Sequence, residues 1–211
     1  MALMFDIKAI IFDYGNVLCE PQPREDVDAM AAALDIPSDK FVDLYWRDRV
    51  AYDCADLDAM EYWTRLAGRQ LDKEQVAKLI QLDNRSWTHP REKTLPWVEI
   101  MRQNGFRTAL LSNLPVALRD ALENDCPWMP KFDARTYSCT VRKAKPDPVI
   151  YNACIRDLGV KPPEAVFLDD RPDNVDGAMK LGIHALLFES PERAALELAS
   201  QYGIYVNRRP R

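Results

Sequence analysis

Short strand-like runs, most of them apolar, occur once near the start of the chain and four times after residue 100. They occupy residues 8–12, 107–111, 135–139, 165–168 and 184–188. Between the later runs, apolar positions recur at helical spacing, and glycine stands just past three of the four helical segments. These segments cover residues 91–104, 116–124, 148–158 and 172–181. Strands that alternate with helices predict βα units and therefore a parallel sheet in an α/β fold.

Residues 20–86 do not follow this alternation. They contain four helical patterns and no convincing strand. The patterns lie at residues 24–34, 38–51, 57–68 and 73–85. Because this run is inserted between the first strand and the rest of the sheet, it predicts a small all-α cap domain over the carboxyl ends of the strands. The core domain then comprises residues 1–19 and 87–211.

The composition is that of an ordinary globular protein, with 47% of the 211 residues hydrophobic and 29% charged. A formal net charge of −5 argues against a nucleic-acid partner, because such partners require a clustered basic face. The five cysteines show no CxxC spacing, which disfavours a disulfide framework or a zinc site. The sequence shows no basic leader and no stretch of about 20 apolar residues. We therefore expect a cytoplasmic monomer or homodimer without a membrane partner.

Two of the apolar runs end in acidic residues. Asp13 follows the first strand, and Asp169 and Asp170 follow the fourth. The carboxyl ends of parallel strands form the crevice in which open α/β sheets bind ligands, so these side chains should converge. Three adjacent carboxylates would resist ionisation unless a cation compensated them. Their hard oxygen ligands indicate a Mg²⁺ site. Taken alone, Asp13 could equally be a residue that caps a turn.

Two further segments carry groups suited to binding a phosphoryl group. Ser112 and Asn113 end the second predicted strand and can donate hydrogen bonds to phosphoryl oxygens, although either could instead cap the next helix. Lys145 precedes Pro146, which restricts it to an extended conformation. A lysine held beside a carboxylate nucleophile would stabilise both the substrate anion and the charge that develops during transfer.

The four segments, in this order, resemble the motifs of the haloacid dehalogenase-like (HAD) hydrolase superfamily. Asp13 with its turn matches the first motif, Ser112 the second, Lys145 the third and the pair Asp169–Asp170 the fourth. The segment Lys-Pro-Asp-Pro, followed by the aspartate pair and Gly177-Ala178, resembles the phosphoglycolate-phosphatase-like branch. The resemblance implies a Rossmann-like three-layer core with a helical cap and the activity of a phosphoric monoester hydrolase.

The same resemblance implies a role for each site residue. Asp13 would attack phosphorus and form an aspartyl-phosphate, while Ser112, Asn113 and Lys145 would hold the phosphoryl group. Mg²⁺ would be held by Asp13, the backbone carbonyl of Gly15 and Asp170. Asp169 would act from a second shell around the metal, and Asn174 would support the site. The implied partner is a small phosphorylated metabolite.

Position 15 departs from the pattern of the superfamily. Its phosphatases usually carry a second aspartate two residues after the nucleophile, which protonates the leaving group; here that residue is Gly15. A related branch with the pattern Asp-x-Gly-Asn-Val includes sugar-1-phosphate phosphatases, which makes a sugar phosphate one candidate substrate. Two alternatives stay open: a metal-independent 2-haloacid dehalogenase, and a catalytically weakened protein that binds a phosphometabolite.

The cap carries aromatic and cationic residues suited to a polar, anionic substrate. They are Tyr45, Trp46, Arg47, Arg49 and Tyr52, and the acid Asp53 follows them. We expect Trp46 to pack in the interior of the cap, and we retain Arg49 and Tyr52 as candidate substrate contacts.

Overall fold

Five parallel strands form a single sheet in the computed structural model, which describes residues 6–207. The strands are β1 (Ala9–Phe12), β2 (Arg107–Ser112), β3 (Ala134–Tyr137), β4 (Ala165–Asp169) and β5 (His184–Leu187). Their spatial order is β3-β2-β1-β4-β5. Strand β1 therefore pairs with β2 on one side and with β4 on the other. This is a doubly wound order, in which the chain reverses its direction of winding at β1 and leaves a crevice at the carboxyl ends.

Helices cover both faces of the sheet. They are α6 (Leu95–Gln103), α7 (Val116–Asp125), α8 (Ser138–Val141), α9 (Pro148–Leu158), α10 (Pro172–Lys180) and α11 (Pro191–Tyr202). Alternate residues of β1 enter different hydrophobic clusters: Ile10 and Phe12 belong to one, Ala9 and Ile11 to the other. Because successive strand residues point to opposite faces, the two clusters lie on the two sides of the sheet. The Rossmann-like three-layer α/β core predicted from the sequence is confirmed.

The segment after β1 folds into five helices. They are α1 (Arg24–Ala33), α2 (Ser38–Arg47), α3 (Arg49–Asp53), α4 (Ala59–Ala67) and α5 (Lys73–Ser86). These helices share a hydrophobic cluster of their own, centred on wholly buried Tyr62 and Trp63. Capping boxes at Asp58 and Asp72 begin α4 and α5. A separate core supports the proposal that residues 20–86 are a cap domain.

The predicted elements differ from the observed ones mainly at their ends. The predicted helix 38–51 is interrupted at Asp48, whose backbone (φ −111°, ψ 11°) separates α2 from α3. Aspartate competes for backbone hydrogen bonds in non-helical conformations, which explains why apolar spacing alone did not reveal the break. The predicted strand 135–139 ends at Tyr137, because Ser138 and Cys139 begin α8. Across residues 6–207, no helix is both long and apolar enough to span a membrane.

Candidate active site

The carboxyl ends of β1, β2 and β4 border a cavity of about 360 Å³ that the cap helices cover. Most of the predicted site residues line it: Asp13, Gly15, Arg49, Ser112, Asn113, Lys145, Asp170 and Asn174. Asp169 lies beneath this surface and is wholly buried. Four segments that are distant in sequence therefore meet at one place, as expected for the ends of neighbouring parallel strands.

Lys145 is the central cation of this site and is almost completely buried. Its Nζ lies 2.7 Å from Asp13 Oδ1 and 2.6 Å from Asp169 Oδ2, and it donates to the carbonyl of Leu111 at 3.0 Å. Burial lowers the pKa of Lys145, but the two adjacent carboxylates outweigh this effect and leave the pKa raised. The ammonium group therefore stays protonated and bridges two acids.

Asn113 fixes the backbone of Lys145. Its side-chain nitrogen donates to the carbonyl of Lys145 at 3.1 Å, and its oxygen accepts from the N–H of Lys145 at 2.8 Å. The observed role of this side chain is therefore to position Lys145. A direct contact between Asn113 and a phosphoryl group stays a prediction, whereas Ser112 stands at the end of β2 beside the cavity.

Asp13 presents one oxygen to the protein and the other to the cavity. Oδ1 accepts from the N–H of Tyr14 at 2.7 Å and pairs with Lys145. No residue in the described range 6–207 donates to Oδ2, which leaves that atom free to act as a nucleophile or a ligand. Burial raises the pKa of Asp13 to about 7, although Lys145 opposes the rise. Ionised Asp13 therefore carries a cost in electrostatic energy that a neighbouring cation would reduce.

The two acids after β4 have different surroundings. Asp169 is saturated by protein donors: besides Lys145, it accepts from the N–H of Arg171 at 2.9 Å and from Asn174 Nδ2 at 2.9 and 3.1 Å. Asp170 is only partly buried, and Oδ2 accepts from Asn16 Nδ2 at 2.8 Å. Burial raises the pKa of Asp170 as well. The placement supports the predicted supporting role of Asp169 and the predicted ligand role of Asp170.

The donor set fits a divalent cation. One oxygen from each of Asp13, Asp169 and Asp170 lies within 4.8 Å of the other two. Asp13 and Asp170 each retain an oxygen that no described residue contacts. Burial raises the pKa values of Asp13 and Asp170, and a hard cation would stabilise their ionised carboxylates.

The cap contributes side chains that differ from those expected. Tyr52 does not reach the cavity; its ring stacks on Tyr62 at a centroid distance of 4.3 Å inside the cap. Trp46, in contrast, is 48% exposed and lines the cavity, so its predicted burial in the cap interior is wrong. The long indole cannot enter the cap interior because Tyr45, on the same turn of α2, already fills it.

Arg49 lines the cavity as predicted, but it is buried and already paired. Its Nε donates to Asp53 at 2.8 Å, and Nη1 donates to both oxygens of Asp83 at 3.2 Å. It is therefore not a free cation for the substrate, and its predicted contact with substrate stays a prediction.

The structure also places Asn16, Asp53 and Trp87 at the cavity, none of which the sequence analysis assigned to the site. Asn16 is the asparagine of the Asp-x-Gly-Asn-Val pattern, although no role was predicted for it, and Trp87 lies in none of the motifs. Asp53 could have been noticed as the acid four residues after Arg49 on one helix face.

Gly177 sets the distance between α10 and the turn that carries Lys145. A Cβ at this position would stand 2.8 Å from Pro146 Cβ and 3.1 Å from the Tyr151 hydroxyl oxygen. We therefore expect Gly177→Ala to lower the free energy of unfolding by about 1–3 kcal/mol through overpacking. This effect opposes and exceeds the gain of about 1 kcal/mol that alanine normally brings to a helix.

Chemical denaturation measures this effect, with Asp176→Ala as the matched control. Asp176 is exposed on the same helix, and its replacement should change stability by no more than about 0.5 kcal/mol. A Gly177→Ala variant as stable as the wild type would contradict the packing argument.

Several characterised proteins are similar to this chain over different lengths. It is 36% identical over 107 residues to acyl-CoA dehydrogenase family member 10 of Mus musculus, which covers 49% of this chain and 10% of that protein. It is 43% identical over 70 residues to the chloroplastic flavin mononucleotide hydrolase 1 of Arabidopsis thaliana, covering 33% of this chain and 28% of that protein. The chain thus matches less than a third of the length of these two relatives. It is 28% identical over 196 residues to phosphatase MT3486 of Mycobacterium tuberculosis, covering 87% of this chain and 88% of that protein.

Solved structures share the fold. A HAD-like family hydrolase from Porphyromonas gingivalis superposes with a TM-score of 0.72 at 25% identity, covering 92% of this chain and 98% of that one. A HAD family enzyme from Bacteroides thetaiotaomicron in complex with magnesium and inorganic phosphate gives 0.70 at 21% identity, covering 86% and 93%. The L-2-haloacid dehalogenase of Xanthobacter autotrophicus gives 0.68 at 23% identity, covering 92% and 83%. Residues 7–182 match the family model of the haloacid dehalogenase-like hydrolases, and the chain belongs to this family.

Proposed function

We propose that this protein is a Mg²⁺-dependent phosphatase that hydrolyses a small phosphorylated metabolite through an aspartyl-phosphate on Asp13. The observation that carries the proposal is the triad of Asp13, Lys145 and Asp169 beside the partly exposed Asp170. The similarity of the chain to phosphatase MT3486 and to a flavin mononucleotide hydrolase supports a phosphoryl substrate. A cytoplasmic location and a monomeric or homodimeric state belong to the same proposal.

Asp13 is suited to the nucleophilic step. Lys145 and the N–H of Tyr14 hold Oδ1, which leaves Oδ2 for the attack on phosphorus. Attack on phosphorus adds negative charge to the transferred group, and Lys145 at 2.7 Å from the nucleophile can stabilise it. Ser112, whose side chain stands at the end of β2, would donate to a phosphoryl oxygen.

Asp13, Asp170 and the backbone carbonyl of Gly15 would hold Mg²⁺. When bound, the cation neutralises the carboxylates and polarises the phosphoryl oxygens. Asp169 would support these ligands through Lys145 and Asn174, which both contact it. The complex of a Bacteroides thetaiotaomicron enzyme of the same fold with magnesium and inorganic phosphate supports this assignment.

Beryllofluoride tests the nucleophile and the metal together, because it mimics a phosphoryl group bound to a carboxylate. We expect it to stabilise the protein only when Mg²⁺ is present, by about 2.7 kcal/mol at a concentration 100-fold above its Kd. The Asp13→Asn variant should show no stabilisation. Calorimetric unfolding with Mg²⁺ or with EDTA measures the difference, and equal stabilisation in EDTA would contradict the proposed site.

A screen of phosphorylated metabolites, run with Mg²⁺ or EDTA and with chloro- and fluoroacids included, tests the reaction itself. Phosphate release that requires Mg²⁺ supports the phosphatase. Halide release without a metal would instead identify a dehalogenase, for which Asp169 and Asp170 would have no evident use. Binding without turnover of any compound would indicate a protein that only binds phosphometabolites.

A further inference from the structure

The Trp87 ring lies against the place where a side chain at position 15 would begin. An ideal Cβ on Gly15 would stand 3.3 Å from Cζ3 of the Trp87 indole. Trp87 is fixed there, because its Nε1 donates to the Tyr45 hydroxyl at 3.0 Å and its carbonyl accepts from the Tyr14 hydroxyl. A proton for the leaving group must therefore come from another direction.

Most titratable groups that line the cavity are already committed. Asp13 and Asp170 serve as nucleophile and ligands in the proposed function. Lys145 has a raised pKa and is shared between two acids, which makes it a poor proton donor. Burial raises the pKa of Tyr14 far above its usual range, and its hydroxyl donates to Trp87. Among the described residues that line this cavity, Asp53 is the one carboxylic acid without an assigned task.

Asp53 approaches the cavity from the cap, opposite the strand ends. It is the last residue of α3, and its backbone carbonyl accepts from Ser138 Oγ at 2.5 Å. The same Ser138 Oγ accepts from the N–H of Leu114 at 3.0 Å. One serine thus connects the end of α3 to the loop that follows Ser112, and Asp53 lines the same cavity as this proposed phosphoryl-binding loop.

We propose that Asp53 is the general acid and base of this phosphatase, taking the part that the residue at position 15 plays in related enzymes. The assignment rests on the proposed function. Arg49, which donates to Asp53 Oδ1 at 2.8 Å, orients the carboxyl group.

The proposed reaction has two steps, formation of the aspartyl-phosphate and its hydrolysis. Asp13 Oδ2 forms a bond to phosphorus while the bond from phosphorus to the leaving oxygen breaks, and that oxygen keeps the electron pair. The carboxyl proton of Asp53 passes to the oxygen and releases an alcohol. Water then attacks the aspartyl-phosphate as Asp53 takes its proton, the bond between phosphorus and Asp13 breaks, and inorganic phosphate leaves with Asp13 ionised and Asp53 protonated again.

The charges around Asp53 suit both roles. Burial raises its pKa to about 6, Arg49 on its own helix lowers it, and Asp83 from α5 raises it. Other titratable groups near it are Tyr52, Cys54, Tyr62 and Cys139. An acid whose pKa lies near the working pH exchanges protons most effectively in both directions.

Asp53→Asn tests the assignment, with Asp83→Asn as the matched control. Both variants remove one buried carboxylate that pairs with Arg49, but Asp83 does not line the cavity. The probes are phenyl phosphate, whose leaving oxygen is strongly basic, and 4-nitrophenyl phosphate, whose leaving oxygen is weakly basic. For Asp53→Asn we expect kcat/KM to fall about 10²–10³-fold on phenyl phosphate and less than about 10-fold on the nitrophenyl ester. Asp83→Asn keeps the acid itself and should change the ratio between the two values far less than Asp53→Asn does.

The wild type supplies a second test that needs no variant. Its kcat/KM for phenyl phosphate should fall as pH rises through about 6, because Asp53 must be protonated to donate. Dividing kcat/KM for phenyl phosphate by kcat/KM for 4-nitrophenyl phosphate at each pH cancels the ionisations that affect both substrates equally. A flat ratio, or equal losses on both esters in Asp53→Asn, would overturn the role of Asp53 while leaving the phosphatase intact. Absence of wild-type turnover on either ester with Mg²⁺ would overturn the proposed function and Asp53 with it.

Discussion

Asp13→Asn is expected to reduce phosphate release by at least about 10⁴-fold while leaving the fold intact, because the amide cannot form the covalent intermediate. The side chain keeps its size, and its oxygen can still accept from the N–H of Tyr14 and from Lys145. Lys145 also retains Asp169 and the carbonyl of Leu111 as partners. The loss of activity should therefore arise from chemistry and not from unfolding.

The stability of this variant provides an internal check. Burial raises the pKa of Asp13 from 3.8 to about 7 in the folded protein, so the folded state holds the proton more tightly than the unfolded state. Stability therefore falls as pH rises between those values, and ionised Asp13 is unfavourable above pH 7. In EDTA at pH 8, Asp13→Asn should be at least as stable as the wild type.

Asp133→Asn is the matched control for activity. Asp133 accepts from the N–H of Thr108 at the amino ends of the strands, whereas the cavity lies at their carboxyl ends. Its replacement should leave turnover unchanged. Undiminished turnover in Asp13→Asn, measured as phosphate release under single-turnover conditions, would exclude Asp13 as the nucleophile.

The parallel sheet could be predicted because most of its strands, β1 and β4 above all, are continuous apolar runs. Ile10 and Phe12 face one side and Ile11 the other, so burial on both faces makes the whole run apolar. Helix α11 was not predicted, although Ser190 and Pro191 at its start and Gly203 past its end are strong signals. The break at Asp48 had no such signal, because apolar spacing continues across it.

The core part of the site could be predicted for a related reason. A residue at the carboxyl end of a parallel strand has its position fixed by the sheet, so Asp13, Ser112 and Asp169 converge whatever the loops do. Positions in the cap carry no such constraint. Which side of α2 and α3 meets the cavity depends on how the cap packs over the core, which is decided by long-range contacts such as the Ser138 bridge to Asp53. Trp46 was therefore placed wrongly, and Asp53 was not assigned.

The second large effect is expected for Lys145→Met. The Lys145 side chain is 1% exposed and lies between Asp13 and Asp169, so its removal leaves two buried carboxylates without a counter-charge. Removing one partner of a buried ion pair costs about 3–5 kcal/mol, because the remaining charge loses its compensation. We expect the free energy of unfolding in EDTA to fall by this amount and phosphate release to be lost. Lys143→Met, an exposed position two residues away, should change stability by no more than about 0.5 kcal/mol.

A double variant separates charge from packing in this loss. If uncompensated charge is the cause, adding Asp169→Asn to Lys145→Met removes one of the two buried acids and should recover part of the lost stability. If lost packing is the cause, the second substitution should destabilise further, because Asp169 also accepts from Asn174 and from the N–H of Arg171. Urea unfolding of the wild type, both single variants and the double variant gives the coupling energy directly. A sum of single effects without recovery would show that Lys145 stabilises the site by packing and not by its charge.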